Sequence, residues 1–237
     1  MNKQGELKPA ALDNSVDFLE IFSGCGHLTL GAARQGLQVG PSIDMRPGIG
    51  HDDAFLIDIK KASDRKVVWA LVVVLCPRWI HCSFPHAFWT QMGHWSRIRD
   101  LSKNEMDRME SLLYIAFSRQ LVYYQVSQRR HSSIENPRSS VAWDLDIVKD
   151  MIHASKMGIV DTDICAWGSK DPSNGKFFQQ TQRIASTINV KSLIRRCNKD
   201  HEHQHVCGRL RSWLFPLPLC DAWASLAKNH ITFLTLR

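Results

Sequence analysis

The passage from VDFLEIF through Ser23-Gly24-Cys25-Gly26 into LTLGAARQG constrains the fold of this chain more than any other stretch. A short apolar run, a cluster of small residues and then a small, apolar segment read as a strand, a sharp turn and a helix lying on a sheet. Glycine adopts left-handed dihedrals at no steric cost and leaves backbone N–H groups uncovered. Gly24 and Gly26 therefore let a ligand approach the start of the helix. The turn is not the dinucleotide fingerprint GxGxxG, because Thr29 stands three positions beyond Gly26. A strand followed by GxG suits a purely structural turn equally well.

The remaining pattern alternates in the same way. LQVGPSIDM is an extended piece ending on Asp44, and AFLIDI is a third that carries Asp58. The run VVWALVVVLC fits a buried helix or a strand. With Pro77 and the extended RWIHCSFP behind it, we read helix, then strand. Ser102 and Glu105 have capping-box spacing, and Met106, Met109, Leu113 and Phe117 recur at intervals of three and four. This predicts one long helix running to about Arg129. SSIENP reads as strand then turn, residues 141–157 as a helix, and TDICAWG and RIASTIN as two later strands. Alternation of this kind implies an α/β fold with a Rossmann-like, doubly wound, mostly parallel sheet, whose ligands sit at the carboxyl ends of the strands. Residues 1–14 are polar and contain Pro9, which suits a flexible tail; residues 15–237 are expected to form a single domain.

Composition narrows the function classes. Of 237 residues, 44% are apolar and 22% charged, enough for a packed core. The longest apolar run, residues 67–76, is about half a membrane span, so a transmembrane helix is not expected. Seven cysteines, an odd number, behind a polar start suggest reduced thiols in an intracellular protein, nuclear or cytoplasmic and not secreted. Thirty Lys and Arg against 23 Asp and Glu give +7, a balance that favours polyanionic partners.

Asp44 follows the glycine turn by about twenty residues, at the end of the next strand. Nucleoside-binding α/β folds place there an acid that accepts from both ribose hydroxyls. Asp58 suits acceptance from an adenine amino group, or an ordinary solvated loop. The order of motifs resembles the cytosine-5 DNA methyltransferases, which use S-adenosylmethionine. FLEIFSGCG is similar to that family's strand and FxGxG turn, and SIDM to its second-strand acid. Glu135-Asn136 in SIENP is similar to its Glu-Asn pair, and Trp167-Gly168 followed by Gln180-Thr181-Gln182-Arg183 to its aromatic-Gly and Gln-Arg segment. The resemblance covers roughly residues 18–188 and implies a fold of the class I methyltransferase type. It also implies an S-adenosylmethionine pocket built from Phe22, Ser23, Gly24, Cys25, Gly26, Asp44, Met45, Asp58, Ile59 and Pro85. Glu135 and Arg183 would face the target base in DNA or RNA, with Glu135 holding the N3 edge of a cytosine.

The chain departs from the family at the nucleophile. A Pro-Cys dipeptide ends the fourth strand in the family, and its thiolate attacks C6 of cytosine; here the place is held by Pro85-His86. Imidazole is a poor substitute for a thiolate that must add and later leave. Cys82, four residues before His86, is the nearby thiol, to be read as a rebuilt nucleophile or as a small buried hydrophobe. The stretch after residue 188 is too short for the long recognition region of sequence-reading members, so that region is not expected here, which leaves target recognition open to a protein partner. Three readings follow: a nucleobase methyltransferase, a methyltransferase with a non-cytosine acceptor, and a noncatalytic nucleic-acid-binding protein that keeps the cofactor pocket.

Residues 191–237 form a basic segment containing histidine and cysteine. Cys197, His201, His203, His205 and Cys207 fall within eleven residues, which suits zinc, most directly through Cys197, His203, His205 and Cys207. Alternate histidines share one side of an extended chain, so two of them with a distant residue would also meet a metal, or all three a phosphate. Arg195, Arg196, Lys199, Arg209 and Arg211 concentrate positive charge around them. Arg97, Arg99 and Lys103 beside Trp89 and Trp95 suggest a second basic and aromatic surface.

Overall fold

A computed structural model describes residues 15–45, 55–86, 89, 101–205 and 215–235, without side chains for 101–104, 205 and 232–235. The elements along the chain are β1 (Phe18–Ile21), α1 (His27–Arg34), β2 (Ile43–Asp44), β3 (Phe55–Leu56), α2 (Ala62–Leu75), β4 (Trp79–Cys82) and α3 (Leu101–Ser127). They continue with β5 (His131–Pro137), α4 (Asp146–Ala154), β6 (Gly158–Asp163), β7 (Phe177–Gln179), β8 (Thr181–Ser186), β9 (His203–His205) and α5 (Leu217–Thr235).

Seven strands form one sheet in the order β3-β2-β1-β4-β5-β8-β6; β8 runs antiparallel to both neighbours, and the other pairings are parallel. This is a mixed α/β, doubly wound, mostly parallel sheet with helices on both faces. β1 and β4 are buried on both faces, so neither shows the apolar-polar alternation of a strand with a solvated side.

Each face has its own core. Leu19, Ile21, Ile80, Cys82, Ile134 and Ala185 pack under α2, α3 and α4, contacting Val72, Ile115, Leu121 and Met151. Phe18, Trp79, Val160 and Ile184 point to the other face, under α1 and α5, with the Trp223 ring tilted against Trp79 at 5.9 Å.

Several expected boundaries shift for identifiable reasons. The apolar run at 67–76 is the helix end of the helix-strand pair, as expected. The long helix spans Leu101–Ser127, so Ser102 already lies inside it. It closes with Arg129 at φ 56°, where the Arg130 N–H reaches the Gln125 carbonyl, a left-handed cap made without glycine. The single helix expected over 141–157 is broken. Residues Val141–Asp144 form a 3₁₀ turn capped by Ser140, and Leu145 is extended before α4 begins. Within TDICAWG the strand ends at Asp163, and Ile164–Trp167 form a 3₁₀ turn closed by Gly168 at φ 82°. The tail at 1–14 lies outside the described residues.

Candidate functional site

The glycine turn has the geometry its sequence requires. Phe22, Gly24 and Gly26 all take positive φ, at 61°, 55° and 68°. Phe22 is the non-glycine residue of the three, and its ring meets Tyr114 of α3 edge-on at 5.7 Å. Asp44, at the end of β2, accepts a hydrogen bond from the Gly24 N–H at 2.9 Å, so the second-strand acid and the first turn form one unit. Met45 follows it with about half its surface exposed, whereas Ile59 and Cys25 are buried. Asp58 is engaged locally: its Oδ1 accepts from the Lys60 N–H at 3.1 Å and its own N–H donates to Asp64.

Two carboxyl groups stand beside this turn on the α1 face. Glu20 of β1 accepts from the Thr29 N–H at 2.9 Å and the Thr29 hydroxyl at 2.5 Å, in the first turn of α1. Burial raises its pKa to about 7, with the Asp44 charge adding to the rise. Glu135 of β5 accepts from the Ser83 hydroxyl at 2.9 Å through Oε2. Its Oε1 has no hydrogen-bond partner among the described residues. Burial raises the Glu135 pKa to about 8, and Glu20 contributes. Glu135 is therefore largely protonated at neutral pH, and Glu20 about half so; Glu135 can donate a hydrogen bond as well as accept one.

The neighbouring loop fixes the position of that acid. Asn136 Nδ2 donates to the Phe84 carbonyl at 3.1 Å, tying the end of β5 to the segment before Pro85. The His86 carbonyl accepts from the Trp89 N–H, and burial holds the His86 imidazole below its ordinary pKa, hence neutral. Trp89 is buried, so it does not form an exposed aromatic surface. Trp95, Arg97 and Arg99 lie outside the described residues, as does the side chain of Lys103.

Two expected site residues are placed elsewhere. Cys82 is wholly enclosed in the core under α3, and burial pushes its thiol up to about 12. It points to the sheet face opposite Glu135, because Cys82 pairs with Ile134 and strand side chains alternate. It is the buried hydrophobe of the two readings. Arg183 pairs with Asn136 and Asp161, so it also projects from the face opposite Glu135. Its guanidinium grips Asp161 at 2.7 and 3.1 Å, and Arg138 joins the same carboxylate at 3.2 Å. Gln182 and Ser186 are polar, buried β8 residues on the Glu135 face, and the Gln182 Oε1 lacks a partner among the described residues. Sequence reasoning named Gln182 in the Gln-Arg segment but assigned the site role to Arg183, because side-chain direction depends on register. A lone acid inside the apolar strand FLEI was the available signal for Glu20.

A cavity of about 550 Å³ opens on the opposite face, lined by Trp143, Lys149, His153, Lys156 and Arg183. It is separate from the glycine turn.

In the C-terminal segment, Cys197, His201 and His203 converge with Cys165, from the 3₁₀ turn after β6. Their ligand atoms all lie within 4.8 Å of one another. His205, as a side chain, and Cys207 lie outside the described residues. Arg195 stacks 3.6 Å over the Trp167 ring, and Arg196 lies 3.6 Å from Asp163. Arg209 and Arg211 are outside the described residues.

No protein-family profile matches the sequence, and no curated protein matches it. Solved structures similar in shape include the following three. A DNA modification methyltransferase encoded within an Escherichia coli prophage is 15% identical, with 73% of this chain and 46% of that chain covered and a TM-score of 0.43. The Dnmt2 methyltransferase of S. pombe is 10% identical over 73% of this chain and 49% of its own, at 0.44. A mutant DNMT2 from Spodoptera frugiperda is 15% identical over 82% and 56%, also at 0.44. The chain thus spans about half the length of these proteins.

Proposed function

We propose that this chain binds S-adenosylmethionine and transfers a methyl group to a nucleobase of DNA or RNA without forming a cysteine adduct on cytosine. The supporting observation is Glu135: a protonated, buried carboxyl beside the glycine turn, with one oxygen unpartnered among the described residues. Such a group donates a hydrogen bond to a ring nitrogen, which polarises a heteroaromatic substrate. S-adenosylmethionine supplies, when bound, an electrophilic methyl on a sulfonium centre. The positive-φ turn at Phe22–Gly26 fits its approach, and Asp44, held by the Gly24 N–H, suits its ribose hydroxyls. Pro85 and Asn136 hold the base-facing edge in shape, and His86, neutral and half-buried, is available as a proton acceptor.

The test pairs calorimetry with label transfer from cofactor to separate DNA and RNA pools. The unmodified protein should bind the cofactor, and Asp44→Ala should weaken binding by about 10- to 150-fold, the range for losing a hydrogen bond to a charged group. Glu135→Ala should reduce transfer by about 100-fold or more, with Glu135→Gln, which keeps a donor, losing less. DNA carrying 5-fluorocytosine should trap no adduct; an adduct mapped to a cysteine would refute the noncovalent route. Cofactor binding with no transfer to either pool would favour the noncatalytic nucleic-acid-binding reading, which the burial of Cys82 supports.

A further inference from the structure

We propose that Cys165, Cys197, His201 and His203 bind one zinc ion in a closed, structural site that fastens the C-terminal segment to the end of β6. Two thiols and two imidazoles are a standard tetrahedral zinc set. Cys197 Sγ is 3.6 Å from His201 Nε2 and 3.4 Å from His203 Nε2. Cys165 Sγ completes the group, with all four ligand atoms inside 4.8 Å. With zinc bonds of 2.0–2.3 Å the edges of the tetrahedron are about 3.3–3.8 Å, so contraction by roughly 1 Å closes the set around one ion.

The surroundings are arranged as zinc ligands require. His201 Nδ1 lies 2.7 Å from Asp200 Oδ1, which fixes the ring with Nε2 turned toward the cluster; a carboxylate behind a ligating histidine is a recurrent orienting partner. The Lys199 N–H donates to Cys197 Sγ at 3.2 Å, a contact that favours the thiolate. Two thiolates and two neutral imidazoles around a dication leave no net charge in a half-buried place.

The strand pairing at this place is short. β9 pairs with β7 through three residues in a two-stranded parallel sheet. A ladder that small is marginal in water, and metal binding contributes folding free energy directly. The ion would join residue 165 to residues 197–203 and hold β9 beside the turn that follows β6. Hydrogen bonds from Cys197 N–H to Asp163 and from Asp163 N–H to the Arg195 carbonyl already bring these segments together.

Full-length protein purified with reductant and without added metal should carry about one equivalent of zinc. Exchange for cobalt(II) should give the visible bands of a tetrahedral thiolate-imidazole site. Cys165→Ser and His203→Asn should each abolish that spectrum, whereas His205→Ala, Cys207→Ser and Cys76→Ser should retain it. If the ligand variants do not fold, a mercurial titration of the unmodified protein substitutes: blocking two thiols should release one zinc. Protein without metal, a Cys165–Cys197 disulfide found by peptide mapping, or cobalt bands lost in the His205 or Cys207 variants would each overturn the assignment.

Discussion

Glu135 keeps its proton at neutral pH and Glu20 keeps it about half of the time, because burial removes the water that would solvate their charge; Glu20 adds to the rise of Glu135, and Asp44 to that of Glu20. In the unfolded chain both would ionise near the ordinary value. Between that value and about 7 for Glu20 and about 8 for Glu135, the folded protein therefore binds more protons than the unfolded one. Stability should fall as pH rises through this window and level off above it. Glu135→Gln removes one of the two ionisations, so its denaturant unfolding measured from pH 5 to pH 9 should lose less stability. At the alkaline end it should exceed the unmodified protein by on the order of 2 kcal/mol. An equally steep fall in the variant would refute the raised pKa. The sequence made Glu135 conspicuous through its place before Asn136 and Pro137. Glu20 was hidden, since an acid in a strand reads as a solvent-facing residue until both faces are known to be covered.

Packing of α1 against α5 sets the strongest test among the elements. A Cβ built on Gly31 would lie 2.9 Å from the carbonyl carbon and the Cβ of Cys220, backbone and near-backbone atoms that cannot rotate away. Helix propensity alone predicts that Gly31→Ala stabilises the protein by up to about 1 kcal/mol. Overpacking of this kind costs about 1–3 kcal/mol, so the structure predicts a melting temperature lowered by roughly 2–12 °C. A rise would show that α5 moves aside freely. The small residues of HLTLGAAR announced a helix in close contact with something, but which element came close was decided far along the chain. The break before α4 belongs to the same scale. Its apolar period continued through Leu145, and the Ser140 cap and the Trp143 Nε1–H donated to the Pro137 carbonyl cut it into two pieces.

Across the whole molecule, the positive balance of +7 is not spread evenly over paired groups. Arg183 and Arg138 are taken up by Asp161, whereas Arg195 lies over an indole ring with no carboxylate contact among the described ion pairs. If exposed Arg195 and Arg196 touch nucleic-acid phosphates, duplex binding should weaken with salt. The slope of log affinity against log salt should be shallower by about 2 in the double variant Arg195→Glu, Arg196→Glu. Filter binding or fluorescence anisotropy across a salt series reads this directly, and an unchanged slope would assign the two arginines to the structure alone.

The sequence by itself determined the class of fold, the glycine turn, the acid closing the second strand and the prominence of Glu135. These rest on local chemistry: apolar runs, the dihedral freedom of Gly24 and Gly26, and short spacings along one strand and turn. Tertiary structure alone decided that Cys82 faces the core and that Arg183 projects away from Glu135, because one step of register along a strand reverses a side chain's face. It also decided that Cys165 meets Cys197, His201 and His203, since a distant residue joins a cluster only through chain reversal and strand pairing.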